Sequence, residues 1–340
     1  MLENAMTTMK HRIVTASAAA CIFLAGSTSA LAELKVVATI KPIHALVAGV
    51  MAGVGEPKLL IDGAGSPHTF ALKPSDARAL NQADIIFRVS DILEPFMIKV
   101  LTALPKSVRV VTLEDAPGLT LHKMRSGATF EQHAHDHDHG HKGRRVKKAE
   151  AHSHNDHDHG KPGKTAEAND GHIWLDPANA KAITRYIASV LATEAPEHAA
   201  RFKENADAVV RSLDQLDAEL GQTLKPIAGR PYIVFHDAYQ YLEHRYGLTP
   251  AGAVTVSPEI APSAKRLSEL RKKISTLKAV CVFAEPQFEP KLVRTITEGT
   301  SARTGTLDYL GASLKPGPDL YFSVLRSLAG DLKACLSNPS

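Results

Sequence analysis

Nine of the chain's seventeen histidines crowd into residues 133–159. His133, His135, His137, His139 and His141 alternate with Ala, Asp and Gly, and His152, His154, His157 and His159 follow. Neutral imidazole is the commonest protein ligand for borderline-soft divalent metals, and several imidazoles within reach of one ion chelate it. The run is internal and mixed with Asp, which argues for metal capture rather than a purification tag. So polar a stretch buries too little apolar surface to offset the entropy of ordering. A mobile His-rich loop is therefore expected over residues 124–170.

Three further histidines stand where strands or the loop should end. His68 follows an expected strand in Gly63-Ala-Gly-Ser-Pro-His68-Thr-Phe, His172 opens the ordered chain after the loop, and His236 ends Tyr-Ile-Val-Phe. Open α/β sheets bind ligands beyond the carboxyl ends of their strands. One such histidine signifies little. Three at equivalent positions beside a His-rich loop suit Zn²⁺, which takes neutral imidazoles tetrahedrally and leaves a fourth place for carboxylate or water. His44, His198 and His244 fall within helical stretches and read as structural or exposed; His122 has no assignment.

Alternating elements must position these residues. Strands are expected at 34–40, 58–61, 83–89 and 108–113, with helices opening at Pro42 and covering 75–81 and 91–104. Asp176-Pro177 supplies an N-cap followed by Pro at the first helical position. From Pro196 the apolar residues Phe202, Ala206, Val209, Leu213, Leu216 and Leu220 recur every three or four positions. That spacing predicts one amphipathic helix of about 25 residues, nearly 40 Å long at ~1.5 Å per residue. Strands follow at 232–235, 280–284 and 305–307, and helices at 236–246, 263–275, 289–300 and 319–336. The pattern predicts an α/β fold of two lobes, each a parallel sheet flanked by helices, joined by one long helix. Expected boundaries are 33–195 for the first lobe, 196–225 for the connecting helix and 226–340 for the second lobe.

A chain of 340 residues accommodates two domains. Its net charge of +4 includes Arg144, Arg145, Lys147 and Lys148 within the His-rich stretch, and charges elsewhere are mixed, which excludes a nucleic-acid face. Lys10, His11 and Arg12 precede an apolar or small run over 13–25, and Ser29-Ala30-Leu31-Ala32 offers a cleavage site. Residues 1–32 read as a signal peptide, with Met1 and Met9 both open as the start. A lipid anchor at Cys21 is disfavoured, because the apolar run continues through Ile22, Phe23 and Leu24. Cys281 and Cys335 then remain and are expected to pair in an oxidising compartment, stabilising the fold by roughly 4 kcal/mol.

The chain resembles the metal-binding solute receptors of ABC transporters, and within them the periplasmic receptors for high-affinity zinc uptake. The resemblance lies in Ile40-Lys41-Pro42, Gly65-Ser-Pro-His-Thr-Phe-Ala-Leu-Lys-Pro-Ser-Asp76, His172-Ile-Trp-Leu-Asp-Pro177, Phe235-His-Asp-Ala-Tyr239, Phe283-Ala-Glu-Pro-Gln287 and Thr306-Leu-Asp-Tyr-Leu-Gly311. It implies two similar lobes bridged by a rigid helix, with the metal in the cleft. His68 and His172 would come from the first lobe and His236 from the second. Asp308 is the candidate fourth ligand, with water and Glu285 as alternatives. Two departures stand out: Pro67 occupies a position where some relatives carry Glu, and Asp308-Tyr309-Leu-Gly replaces the family's usual Asp-Pro-Leu-Gly. The resemblance also implies a periplasmic monomer working with an inner-membrane permease, its cytoplasmic ATPase and a periplasmic zinc chaperone. A manganese receptor is the nearest alternative. A zinc hydrolase would want His-Glu-x-x-His, which is absent, and a metal buffer would need the His-rich loop alone.

Overall fold

The computed structural model describes residues 34–125, 168–255, 257–258, 261–277 and 281–337. The expected signal segment and the nine-histidine stretch lie outside these residues. In the first lobe β1 (Val36–Ala38) leads to α1 (Lys41–Val50), β2 (Lys58–Leu59), α2 (Pro74–Asn81), β3 (Ile85–Arg88), α3 (Pro95–Leu101) and β4 (Arg109–Thr112). The strands form a parallel sheet of order β2-β1-β3-β4. Parallel strands covered on both faces carry unbroken apolar runs, as Val36-Val37-Ala38 and Ile85-Ile86-Phe87 do.

Next come α4 (Pro177–Glu194) and the long α5 (Ala199–Leu224). Asp176 caps α4 as expected, its Oδ1 accepting from the Ala178 N–H at 2.8 Å. The second lobe contains β5 (Tyr232–His236), α6 (Gln240–Tyr246), β6 (Pro250–Thr255), α7 (Ala264–Leu277), β7 (Cys281–Ala284), α8 (Lys291–Thr297), β8 (Arg303–Thr306) and α9 (Leu320–Ser337). Its parallel sheet runs β6-β5-β7-β8, the same winding as the first. The expected disulfide joins Cys281 in β7 to Cys335 in α9.

Four local expectations are corrected. The strand β6 was not foreseen, because Pro250-Ala-Gly-Ala carries little strand signal; as an edge strand it tolerates Pro250, and its register shifts beside Gly252. Helix α3 starts at Pro95 rather than near Asp91, since the buried Glu94 carboxylate accepts the N–H groups of Val89 (2.8 Å) and Ser90 (3.2 Å) and folds that stretch into a turn. His236 stays in β5, and α6 begins only at Gln240. The loop expected from residue 124 to 170 has an ordered stem, where Met124 donates to the Ala168 carbonyl at 2.9 Å and Asp170 to that of His122 at 2.8 Å.

One apolar core runs through both lobes, from Val36 and Phe87 to Val234, Phe283 and Leu336. The stripe Phe202, Ala206, Val210, Leu213, Leu216, Leu220 and Leu224 of α5 contributes to it, and the helix packs on α1, α4 and α9. A second tie is polar. Lys41, only 3 % exposed, extends from the start of α1 to donate to the carbonyls of Gly311 (3.2 Å), Ala312 (3.0 Å) and Leu314 (3.0 Å). Its ammonium also pairs with Asp62 at 3.0 Å. Lys41→Met should leave those carbonyls without their donor and lower stability by about 2 kcal/mol, read from the urea midpoint. An unchanged midpoint would show that water replaces the ammonium at no cost.

Candidate metal centre

His236 is the last residue of β5, and Glu285 follows the last residue of the neighbouring β7. Strand order reverses between these two strands, so both residues stand at the switch point where open sheets place ligands. Glu285 Oε2 lies 2.6 Å from His236 Nδ1, and Tyr239 donates its hydroxyl to Glu285 Oε1 at 3.1 Å. His172 precedes a 3-10 turn over Ile173–Leu175. Asp170 Oδ1 accepts from its backbone N–H at 3.0 Å and faces its Nδ1 at 2.7 Å. His68 lies in the segment after β2 and hydrogen-bonds to the backbone of Ile92, in the turn that follows β3. Gly171 makes the approach possible, since a Cβ there would meet Leu93 Cβ and Ser90 Oγ at 3.0 Å.

The two carboxylates decide how the rings point. An acceptor beside Nδ1 holds the proton there and turns the Nε2 lone pair inward, the arrangement found around metal-bound imidazoles. His68 Nε2 and His236 Nε2 each lie 3.4 Å from His172 Nε2. A tetrahedral ion with metal–nitrogen bonds of ~2.0–2.1 Å places its nitrogens roughly 3.3–3.4 Å apart, so these two edges fit zinc. Among the described residues these three form the group of at least three His, Cys, Asp or Glu ligand atoms lying within 4.8 Å of one another.

Electrostatics separate two of the rings. Burial, reinforced by the neighbouring imidazoles of His172 and His236, drives the His68 pKa well below its ordinary value, so its ring stays neutral and ready to coordinate. Burial also pushes His236 down, but the charge and hydrogen bond of Glu285 outweigh it and the net shift is upward. A metal arriving at His236 therefore displaces a proton below that raised pKa. Affinity for a divalent ion should fall as pH drops through the raised pKa of His236, above the ordinary 6.5, and the fall should begin at lower pH in Glu285→Gln. Titrations from pH 8 to pH 6 check this; coincident profiles for the two proteins would contradict it.

The structure does not bring Asp308 to the cluster. Its Oδ1 accepts from the N–H groups of Leu310 (3.3 Å) and Gly311 (2.9 Å), and its Oδ2 from that of Ala312 (2.6 Å). Gln287 also donates to it at 3.2 Å. That carboxylate organises a backbone turn, and Glu285 reaches the centre only through His236. Sequence reasoning missed Asp170, whose one available signal was its position two residues before His172. His44 is structural, its Nε2 lying 2.9 Å from the Pro57 carbonyl. His122 stacks on the exposed His244 with centroids 4.3 Å apart, and His198 packs near Phe202.

Two like-wound α/β lobes with inward-turned imidazoles contributed from both define a metal-binding solute receptor. The model of the family ZnuA, zinc-uptake complex component A periplasmic, matches residues 36–335, and the chain belongs to that family. It is 48 % identical over 333 residues to the high-affinity zinc uptake system protein ZnuA of Brucella suis biovar 1, covering 96 % of this chain and 98 % of that one. The Yersinia pestis protein of the same name is 34 % identical, covering 90 % and 92 %. In fold it matches a crystal structure of ZnuA with a TM-score of 0.69 at 23 % identity, over 89 % of this chain and 99 % of that one. The laminin-binding adhesin of Streptococcus agalactiae gives the same TM-score and coverage at 24 % identity. Asp170→Ala should lower affinity for Zn²⁺ about 10–100-fold by releasing His172 from its orientation, as chelator competition would read. Unchanged affinity would mean that packing alone orients that ring.

Proposed function

We propose that this chain is a periplasmic receptor that captures Zn²⁺ and delivers it to an ABC-type inner-membrane importer, with His68, His172 and His236 as the protein ligands. The observation that carries the reading is the convergence of three imidazoles whose ligand atoms lie within 4.8 Å of one another, with His68 Nε2 and His236 Nε2 each 3.4 Å from His172 Nε2, the edge length of a tetrahedral zinc ion. Three imidazole nitrogens with no carboxylate oxygen in the set favour borderline-soft zinc over hard manganese, and water from the cleft completes the coordination. Family membership in an uptake complex supports a permease and its ATPase as partners. A periplasmic zinc chaperone is a further proposed partner. Export follows from the N-terminal segment, with cleavage after Ala32. The carboxylates beside the site support a receptor without a catalytic step: Asp170 and Glu285 face imidazole Nδ1 atoms, whereas a zinc hydrolase needs a base directed at metal-bound water.

The nine histidines from His133 to His159 would hold additional Zn²⁺ weakly, because ordering chain around each ion costs conformational entropy. Isothermal titration separates the two sites. His236→Ala should lose the tight phase by orders of magnitude, and deletion of residues 131–160 should reduce stoichiometry while keeping that phase. Tight binding that survives His236→Ala, or disappears with the deletion, would overturn the assignment.

A further inference from the structure

One side chain outside the donor set borders two of the three imidazoles. Tyr309 is fully buried, with its ring centroid 5.6 Å from that of His172 at an interplanar angle of 74° and 5.1 Å from that of His236 at 64°. It thus meets edge-on one ligand from each lobe. The ring is boxed in by Trp174, stacked at 6.2 Å, and by Tyr239, edge-on at 6.3 Å.

Its backbone is pinned as firmly. Trp174 Nε1 donates to the Tyr309 carbonyl at 3.2 Å. Asp308 takes the N–H groups of residues 310–312, while the Lys41 ammonium takes carbonyls of the same segment. A carboxylate and an ammonium, one from each lobe, therefore clamp the turn that carries the ring. Ring rotation or withdrawal would break packing and hydrogen bonds together.

Divalent ions differ in the number of ligands they demand. Zinc is satisfied by four, whereas manganese prefers six with oxygen among them. Six ligands here would require three more oxygens around the imidazoles, and Tyr309 fills space on the flank shared by His172 and His236. Carboxylates cannot supply them in place, since Asp170 and Glu285 face Nδ1 atoms and Asp308 holds amides. The position is also one at which the chain departs from the pattern it resembles, with Tyr where Pro is usual. Proline has no ring to place there.

We propose that Tyr309 is a specificity-determining residue, whose ring excludes additional ligands and confines a bound ion to three imidazoles and one solvent ligand. This rests on the reading of the three histidines as the Zn²⁺ site. The test loads the full chain with Co²⁺, whose visible absorption is intense when four-coordinate and weak when six-coordinate, and titrates Zn²⁺ against Mn²⁺ with a competing chelator. Wild type and Tyr309→Phe should give the four-coordinate spectrum and the same preference for zinc. In Tyr309→Leu that spectrum should weaken and the zinc-to-manganese affinity ratio should fall on the order of 10-fold. A six-coordinate spectrum in the wild type overturns the proposal without any variant, which keeps it open to refutation should Tyr309→Leu not fold. An unchanged spectrum and ratio in Tyr309→Leu overturn it too, as does a change in Tyr309→Phe, which would make the phenol oxygen a ligand. Failure of the wild type to bind Zn²⁺ tightly would instead refute the receptor reading itself.

Discussion

Three imidazoles meet at one point only if something turns each lone pair toward it, and here buried carboxylates do so for two of the rings. Asp170 and Glu285 each hold a histidine by Nδ1, which leaves Nε2 facing its neighbours at 3.4 Å. Without those acceptors each ring could flip or exchange its proton between nitrogens, and the cluster would lose its common focus. The same contacts set the chemistry of capture. Glu285 raises the proton affinity of His236, while burial keeps His68 neutral, so the site couples metal binding to a proton at one ring and not at another.

The rest of the fold supplies rigidity for that focus. The second sheet presents His236 and Glu285 at the reversal of its strand order, and the equivalent end of the first sheet carries Lys41 after β1 and the Ser90–Glu94 turn after β3. That turn holds His68 through Ile92 and packs against Gly171. A continuous core and the α5 stripe then fasten the two lobes together. At the stem of the His-rich segment Arg125 adds a cross-lobe tie, bonding to Asp237 beside His236 and pairing with Glu243 at 2.9 Å. Burial pushes Glu243 up to about 7, and the Arg125 charge opposes that rise. The three clustered histidines, the carboxylates that orient two of them and the stem of the histidine-rich stretch are thus one connected structure.

Much of this was legible in the residues. Apolar strand runs and three- or four-residue helical spacing place the alternating elements, and the three histidines that the fold gathers stand out because His236 ends a strand, His172 opens an ordered segment and His68 lies in the turn-rich segment after β2. What escaped depends on tertiary context. The strand Pro250–Thr255 exists because its neighbour β5 offers ladder partners, not because its own residues favour extension. Asp308 resembled a ligand by position, yet three nearby amides claim its oxygens, which only the folded turn reveals. Asp170 looked like the tail of a polar loop and became an orienting acceptor once the stem paired across Lys123 and Asn169.

Everything above turns on one ion sitting among three Nε2 atoms drawn from both lobes. A crystal structure of the Zn²⁺-loaded protein, with anomalous scattering measured at the zinc edge, tests it directly. One strong peak should appear, bonded at about 2.0–2.1 Å to Nε2 of His68, His172 and His236, with Asp170 and Glu285 still on the Nδ1 atoms. A peak elsewhere, or one bonded through Nδ1 or to the Asp308 carboxylate, would contradict it.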